Sequence, residues 1–273
     1  MSSHEAMQRD IVRIALRDAT ATGFALAGSG AIREHGLIQR PTADVDLFTV
    51  MSAQDRFCAA VESIRERLVE SGYVVQVVQQ GQSFTRMVVS SSSGLQTELD
   101  MGIDWRAHEP VALEVGPVLA VEDAVANKVA ALYSRGETRD FLDVDSIRKS
   151  GRYSDQQLMV LAANSDPGFD QSMFAERLQM ATKIQPSEVT AYGLSESDLE
   201  AVKKRSQDWA NDIKQHTTAK PITIQESQSE QNYVRRLMSQ NRTAGFREQT
   251  TQAGQKHVEA RESDRTHSHG RGR

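Results

Sequence analysis

The 273-residue chain has a formal charge of −5, a mean hydropathy of −0.50 and one cysteine, Cys58. A lone cysteine excludes an internal disulfide and suits a reducing cytoplasm. No segment reaches the roughly 20 apolar residues that span a bilayer, and the charged N-terminus lacks a signal peptide's apolar run, so a soluble, cytoplasmic protein without membrane contact is expected. Residues 220–273 hold ten Lys or Arg against six Asp or Glu, which leaves about −9 on the first 219 residues. Phosphate contacts supply most nucleic-acid affinity, so an acidic body of this kind needs a local basic rim to bind RNA.

In chain order, residues 11–21 have apolar residues at helical spacing. "FALAG" is a short apolar run ending in glycine, a buried strand entering a turn. "AIREHG" makes one or two helical turns closed by Gly36, and Pro41 prevents "QRPT" from extending them. "DVDLFTV" alternates, with Asp44, Asp46 and Phe48 on one face and Val45, Leu47 and Thr49 on the other. Ser52 and Asp55 form a capping box for a helix reaching Ser71, on which Cys58 is expected to be buried. "YVVQVVQQ", "SFTRMVVSS" and "LQTELDMGI" then read as an antiparallel meander. In the last of these, Gln96, Glu98 and Asp100 share a face opposite Leu95, Thr97, Leu99 and Met101.

From Val121 the pattern is helical: "VEDAVANKVAALYSRG", then "TRDFLDVDSIRKSG", then three or four more helices to about Gln215. After Pro221 the polar composition cannot bury enough surface to fold. The expected fold class is α+β: a mixed sheet with flanking helices over residues 1–118, a helical domain over 119–216, and a disordered polar tail over 217–273.

The chemistry concentrates in "FALAGSGAIREHGLIQRPTADVDLFTV". A glycine-serine turn after a strand presents backbone N–H groups and a hydroxyl, a combination suited to phosphate oxygens. Arg33 stands where the dinucleotide fingerprint needs its third glycine, and no Walker lysine is present. Asp44 and Asp46 leave one strand on the same side, roughly 6–7 Å apart. Paired carboxylates repel in apolar surroundings and are comfortable around Mg²⁺, which prefers hard oxygen ligands and shares its shell with substrate phosphates. A third acid on a neighbouring strand would allow a second ion and in-line phosphoryl chemistry. Asp100, flanked by Leu99 and Met101, is that candidate, with Glu98 as the alternative two residues earlier.

A Gly-Ser turn, a DxD strand and a third acid between apolar residues resemble the polymerase β-like nucleotidyltransferase superfamily. More narrowly, "ALAGSGAIREHGLIQRPTADVDLF" with "VEDAVANKVAALYSRGETRDFLDV" is similar to the AbiEii/AbiGii-type toxin nucleotidyltransferases. The resemblance is good from Phe24 to Ile147, looser to Gln215, and absent from the tail. It implies a nucleotidyltransferase core followed by a helical domain that completes the cleft. It implies that Gly28 and Ser29 hold phosphates, that Asp44, Asp46 and Asp100 bind Mg²⁺, and that Lys128 meets the triphosphate. Arg139, Asp140 and Asp143 match the family's second helical motif, with Arg139 and Asp140 beside the nucleotide and Asp143 structural. Fourteen residues separate Ser29 from Asp44, slightly more than the superfamily spacing.

Lys128 interrupts an otherwise apolar stretch, which favours a directed role over a solvated one. Arg139 and Asp140 could equally serve as a structural salt bridge linking the two halves. Arg40 and Thr42 border the site, and Asp145 and His35 read as surface residues. The implied reaction moves NMP from an NTP to an acceptor hydroxyl, with RNA (tRNA) as the acceptor and an antitoxin protein as partner. A small cationic acceptor such as an aminoglycoside, or a catalytically inactive nucleotide-binding module, are the alternatives.

Overall fold

The computed structural model describes residues 2–17 and 22–218. The tail expected over 217–273 lies almost wholly outside the described residues. The compact unit Met1–Thr218 is built around one mixed sheet. Its strands are β1 (Ala25–Leu26), β2 (Asp44–Thr49), β3 (Val74–Gln80), β4 (Phe84–Ser90), β5 (Gln96–Ile103), β6 (Val111–Leu113) and β7 (Gly116–Val118). Their order is β3-β4-β5-β2-β1-β7-β6. The expected meander is β3-β4-β5, and β2 joins it parallel to β5. The β6–β7 hairpin has no counterpart in the sequence reading.

One face of the central strands is buried through Val45, Leu47, Met87, Val89, Leu99 and Met101. Helices α1 (Ser3–Ala15) and α3 (Phe57–Glu70) pack against each other. Gln8 of α1 donates to Thr42 O at 3.1 Å and to Thr97 Oγ1 at 3.2 Å, which ties α1 to the Thr97 face of the sheet. The opposite face carries the acids.

Three local expectations differ from the structure. Helix α1 starts at Ser3, well before Ile11, because the Ser2 hydroxyl accepts from Glu5 N and caps it. The Ser52–Asp55 box does not form: Met51–Arg56 is a 3₁₀ turn, and α3 begins at Phe57 without a side-chain cap. That phase turns Phe57, Val61, Ile64 and Leu68 inward and leaves Cys58 exposed rather than buried.

Short helix α2 (Gly28–Glu34) follows β1 directly. The helical part comprises α4 (Val121–Ser134), α5 (Thr138–Lys149), α6 (Asp155–Ser165), α7 (Gln171–Gln179), α8 (Pro186–Val189) and α9 (Glu196–Thr218). Helix α4 packs on α2, α5 and α6, and α9 packs on α7 and α5. The buried cluster runs from Met7 through β2 and β5 to Trp209 and Ile213.

Candidate active site

The sheet register arranges the acids in rows. Parallel pairing sets Asp44 opposite Glu98 and Asp46 opposite Asp100, and antiparallel pairing sets Arg86 of β4 on the far side of Asp100. Strand alternation sends these side chains to the same face, away from the Val45–Leu47 core.

Among the described residues, the Asp46 carboxylate has no hydrogen-bond or ion-pair partner. Desolvation first, and then the neighbouring Asp44 charge, push its carboxyl up to about 6; Lys128 and Arg139 oppose the shift. The Asp46 side chain rests on Gly28: a Cβ at position 28 would lie 1.8 Å from Asp46 Oδ2. Gly28 also has φ +56°, a conformation other residues rarely adopt. The glycine of the Gly-Ser turn is therefore required by the carboxylate beside it.

Asp44 accepts from Arg139 Nη1 at 3.4 Å. Asp100 is held at both oxygens by Arg86, Nε at 2.7 Å and Nη2 at 2.6 Å. Asp100 is buried and Glu98 exposed, which distinguishes the two candidates for the third acid. Among the described residues, no three acidic, histidine or cysteine side chains converge as a complete metal-ligand set. Asp44 and Asp46 are nevertheless a donor set suited to Mg²⁺, which usually takes one or two carboxylates and completes its shell with water and substrate phosphate. The unpartnered, desolvated Asp46 is the feature that a cation would satisfy.

Behind the acids lies a buried polar cluster. Lys128 Nζ of α4 donates to Ser29 Oγ at 2.8 Å and pairs with Asp143 Oδ2 at 3.0 Å. Arg40 grips Asp143 with Nε at 2.6 Å and Nη2 at 2.8 Å, and the same Nη2 donates to Ser29 Oγ at 3.0 Å. Asp143 is fully buried. Burial would raise its carboxyl, but Lys128 and Arg40 together hold it below the ordinary carboxylate value. Arg40 is thus a member of the cluster rather than a bordering residue. Thr42 is buried among Gln8 and Arg33.

The second helical motif divides. Arg139 faces the acids, bridging Asp44 and Glu137, whose carboxylate lies 2.9 Å from its Nε. Asp140 is fully buried; Arg135 donates to it at 2.9 and 2.8 Å, and it accepts from Glu137 N at the start of α5. Arg139 thus links the helical part to β2 through Asp44, whereas Asp140 is bound within the helical part by Arg135. Asp145 is buried rather than solvated, held at both oxygens by Arg205 of α9. His35 Nε2 meets Leu119 O at 2.8 Å.

The sequence reading missed Arg86. Its signal was present: a single charge inside the apolar strand "SFTRMVVSS", the same signal that singled out Asp100.

Residues 9–236 match the protein family described as Nucleotidyl transferase AbiEii toxin, Type IV TA system. The chain belongs to this family. It is accordingly a nucleotidyltransferase, and the match continues past the last described helix. Similar solved structures include JHP933 from Helicobacter pylori, with a TM-score of 0.52 and 16% identity over 79% of this chain and 94% of that one. MenT4, a nucleotidyltransferase toxin from Mycobacterium tuberculosis, has a TM-score of 0.52 and 15% identity over 77% of this chain and 84% of its own. At these identities the likeness concerns the fold. No curated protein matches the chain. Among the described residues, no helix of this AbiEii-family chain is long and apolar enough to cross a membrane.

Proposed function

We propose that the chain transfers NMP from an NTP to an acceptor hydroxyl with Mg²⁺, in the cytoplasm, as the toxin of a toxin–antitoxin pair whose acceptor is RNA, tRNA in particular. The observation that carries the reading is the Asp46 carboxylate, unpartnered and desolvated between Asp44 and Asp100 and lying against the Gly28 turn. Asp44 and Asp46 would hold Mg²⁺, with Asp100 as the third acid. The ion would supply positive charge to the phosphate oxygens as charge shifts to the leaving group.

The chain's own residues do the rest. Residues 1–118 carry the acids and the turn, and residues 119–216 close the cleft with Lys128 and Arg139. The start of α2, Gly28 and Ser29, offers N–H groups to the phosphates. Lys128, paired with Asp143, neutralises negative charge as it develops on pyrophosphate. Arg139 fixes the nucleotide from the Asp44 side. Asp100 accepts the proton of the acceptor hydroxyl; the acceptor oxygen bonds to the α-phosphorus, and the bond to the pyrophosphate oxygen breaks.

The −9 charge of the first 219 residues favours a second reading, a small cationic acceptor such as an aminoglycoside. One experiment separates the two. The protein is incubated with Mg²⁺ and each α-labelled NTP, with total RNA or with an aminoglycoside. Label in RNA that is lost in Asp46→Asn supports the RNA reading; label only in the small molecule replaces it, and label in neither rejects transfer to both.

A further inference from the structure

We infer that the β4–β5 side of the open sheet face is a subsite for an unpaired nucleobase at the acceptor end, clasped by Phe48 and Phe84 across Gly102, with Arg86 on the adjoining phosphate. This deepens the RNA reading above and rests on it.

The register supplies the placement. Two residues beyond the Asp46–Asp100–Arg86 row, the same three strands align Phe48, Gly102 and Phe84. Alternation puts this aromatic row on the face of the acids, one pleat further along. Both rings are partly exposed. Position 102 is glycine for a reason visible in the packing: a Cβ there would lie 3.2 Å from Phe48 Cδ1 and Cε1 and 3.6 Å from Phe84 Cδ2. The two half-buried rings thus flank a side-chain-free strip of backbone beside Asp100, Phe48 also packing against the core and Phe84 lying under the Arg86 guanidinium.

Arg86 adds the charge. Its Nε and Nη2 hold Asp100, while Nη1 has only Glu98 at 3.6 Å, beyond hydrogen-bond distance. Its guanidinium lies 5.9 Å over the Phe84 ring. Nη1 can therefore take a phosphate oxygen without releasing Asp100.

Direction follows from in-line displacement, in which nucleophile and leaving group lie on opposite sides of phosphorus. The Gly28–Ser29 turn follows β1, on one flank of β2; Asp100, Arg86 and Phe84 lie on β5 and β4, the other flank. With pyrophosphate at the turn, the acceptor belongs on the β5–β4 side. Unstacked bases are held by aromatic faces and arginine planes, and a small saturated polyamine needs neither.

The test uses the full chain and a fluorescent single-stranded oligoribonucleotide with a free 3′ hydroxyl, followed by anisotropy, with NTP·Mg²⁺ binding measured in parallel. Phe84→Ala should weaken oligonucleotide binding about tenfold, the loss expected for one stacked base, and leave NTP binding unchanged. Phe84→Leu, which keeps apolar bulk over Gly102, should show the same loss, and Phe84→Trp should retain wild-type affinity. Arg86→Gln should lower the salt slope by about one phosphate contact. Unchanged RNA affinity in Phe84→Leu, while wild type still labels RNA, overturns the subsite and leaves the RNA reading standing. An equal loss of NTP binding assigns the rings to the NTP's own base and also overturns it. Wild type that labels no RNA removes the RNA reading, and the subsite with it.

Discussion

The carboxylate of Asp46 lies so close to the Cα of Gly28 that a methyl group at position 28 would sit 1.8 Å from Asp46 Oδ2. Gly28→Ala therefore meets two penalties, the clash and a φ of +56°, which together cost roughly 1–3 kcal/mol. Asp46 must also swing away, so transfer should fall by about tenfold or more, the effect of misplacing a reacting group. Gly30→Ala is the control, because its methyl would meet only the Leu26 side-chain tip at 2.9 Å and its φ is not positive. Equal activity in the two variants would remove Gly28 from the site.

Asp46 also predicts a pH dependence. Its carboxyl titrates near 3.8 when unperturbed and near about 6 in the fold. The folded state binds the proton more tightly, so this group favours folding most below pH 3.8 and that contribution is lost as pH rises through about 6. In chelator at neutral pH, Asp46→Asn should raise stability by on the order of 1–3 kcal/mol, roughly 2–4 °C per kcal/mol. The gain should disappear at about pH 4. Thermal melts across that range check the sign; a variant less stable than wild type at neutral pH contradicts it.

Magnesium should act through the same carboxylate. Adding Mg²⁺ to chelated wild type should raise the melting temperature, because a ligand bound only by the native state stabilises it. Asp46→Asn should show little of that rise, and Glu98→Gln should keep it. A full Mg²⁺ response in Asp46→Asn would place the ion elsewhere.

Behind the acids, Asp143 joins Lys128 and Arg40 in a buried cluster. Asp143→Asn leaves two cations without their counter-charge and should cost about 3–5 kcal/mol. Lys128→Met leaves Asp143 still gripped by Arg40 and should cost less. Urea titrations of the single and double variants should be non-additive, since all three side chains share one network.

Asp145 gives a prediction with no catalytic component. Arg205→Ala strands this buried carboxylate and should cost roughly 1–3 kcal/mol while leaving transfer per folded molecule unchanged. An activity loss beyond the unfolded fraction would connect α9 to the chemistry.

Much of the site was legible because its signals are local. The period-2 alternation of "DVDLFTV" sets the facing of Asp44 and Asp46 wherever the strand lies, and Leu99 and Met101 do the same for Asp100. The misread residues share a different property. Cys58 depended on the phase left by a 3₁₀ turn, and Asp145 depended on the arginine that reaches it.

By itself the sequence determined the strand and helix order apart from the β6–β7 hairpin, the side of the sheet that carries the acids, and the family motifs, since short-range periodicity and turn chemistry encode each of them. Only the tertiary structure decided what each charge meets. Ser29 and Asp143 are 114 residues apart, Arg40 and Asp143 are 103 apart, and Lys128 and Ser29 are 99 apart. The same residue types could be solvated or paired. Packing of α4 against α2 and α5 takes water from them, and a charge without water must find its partner in the fold.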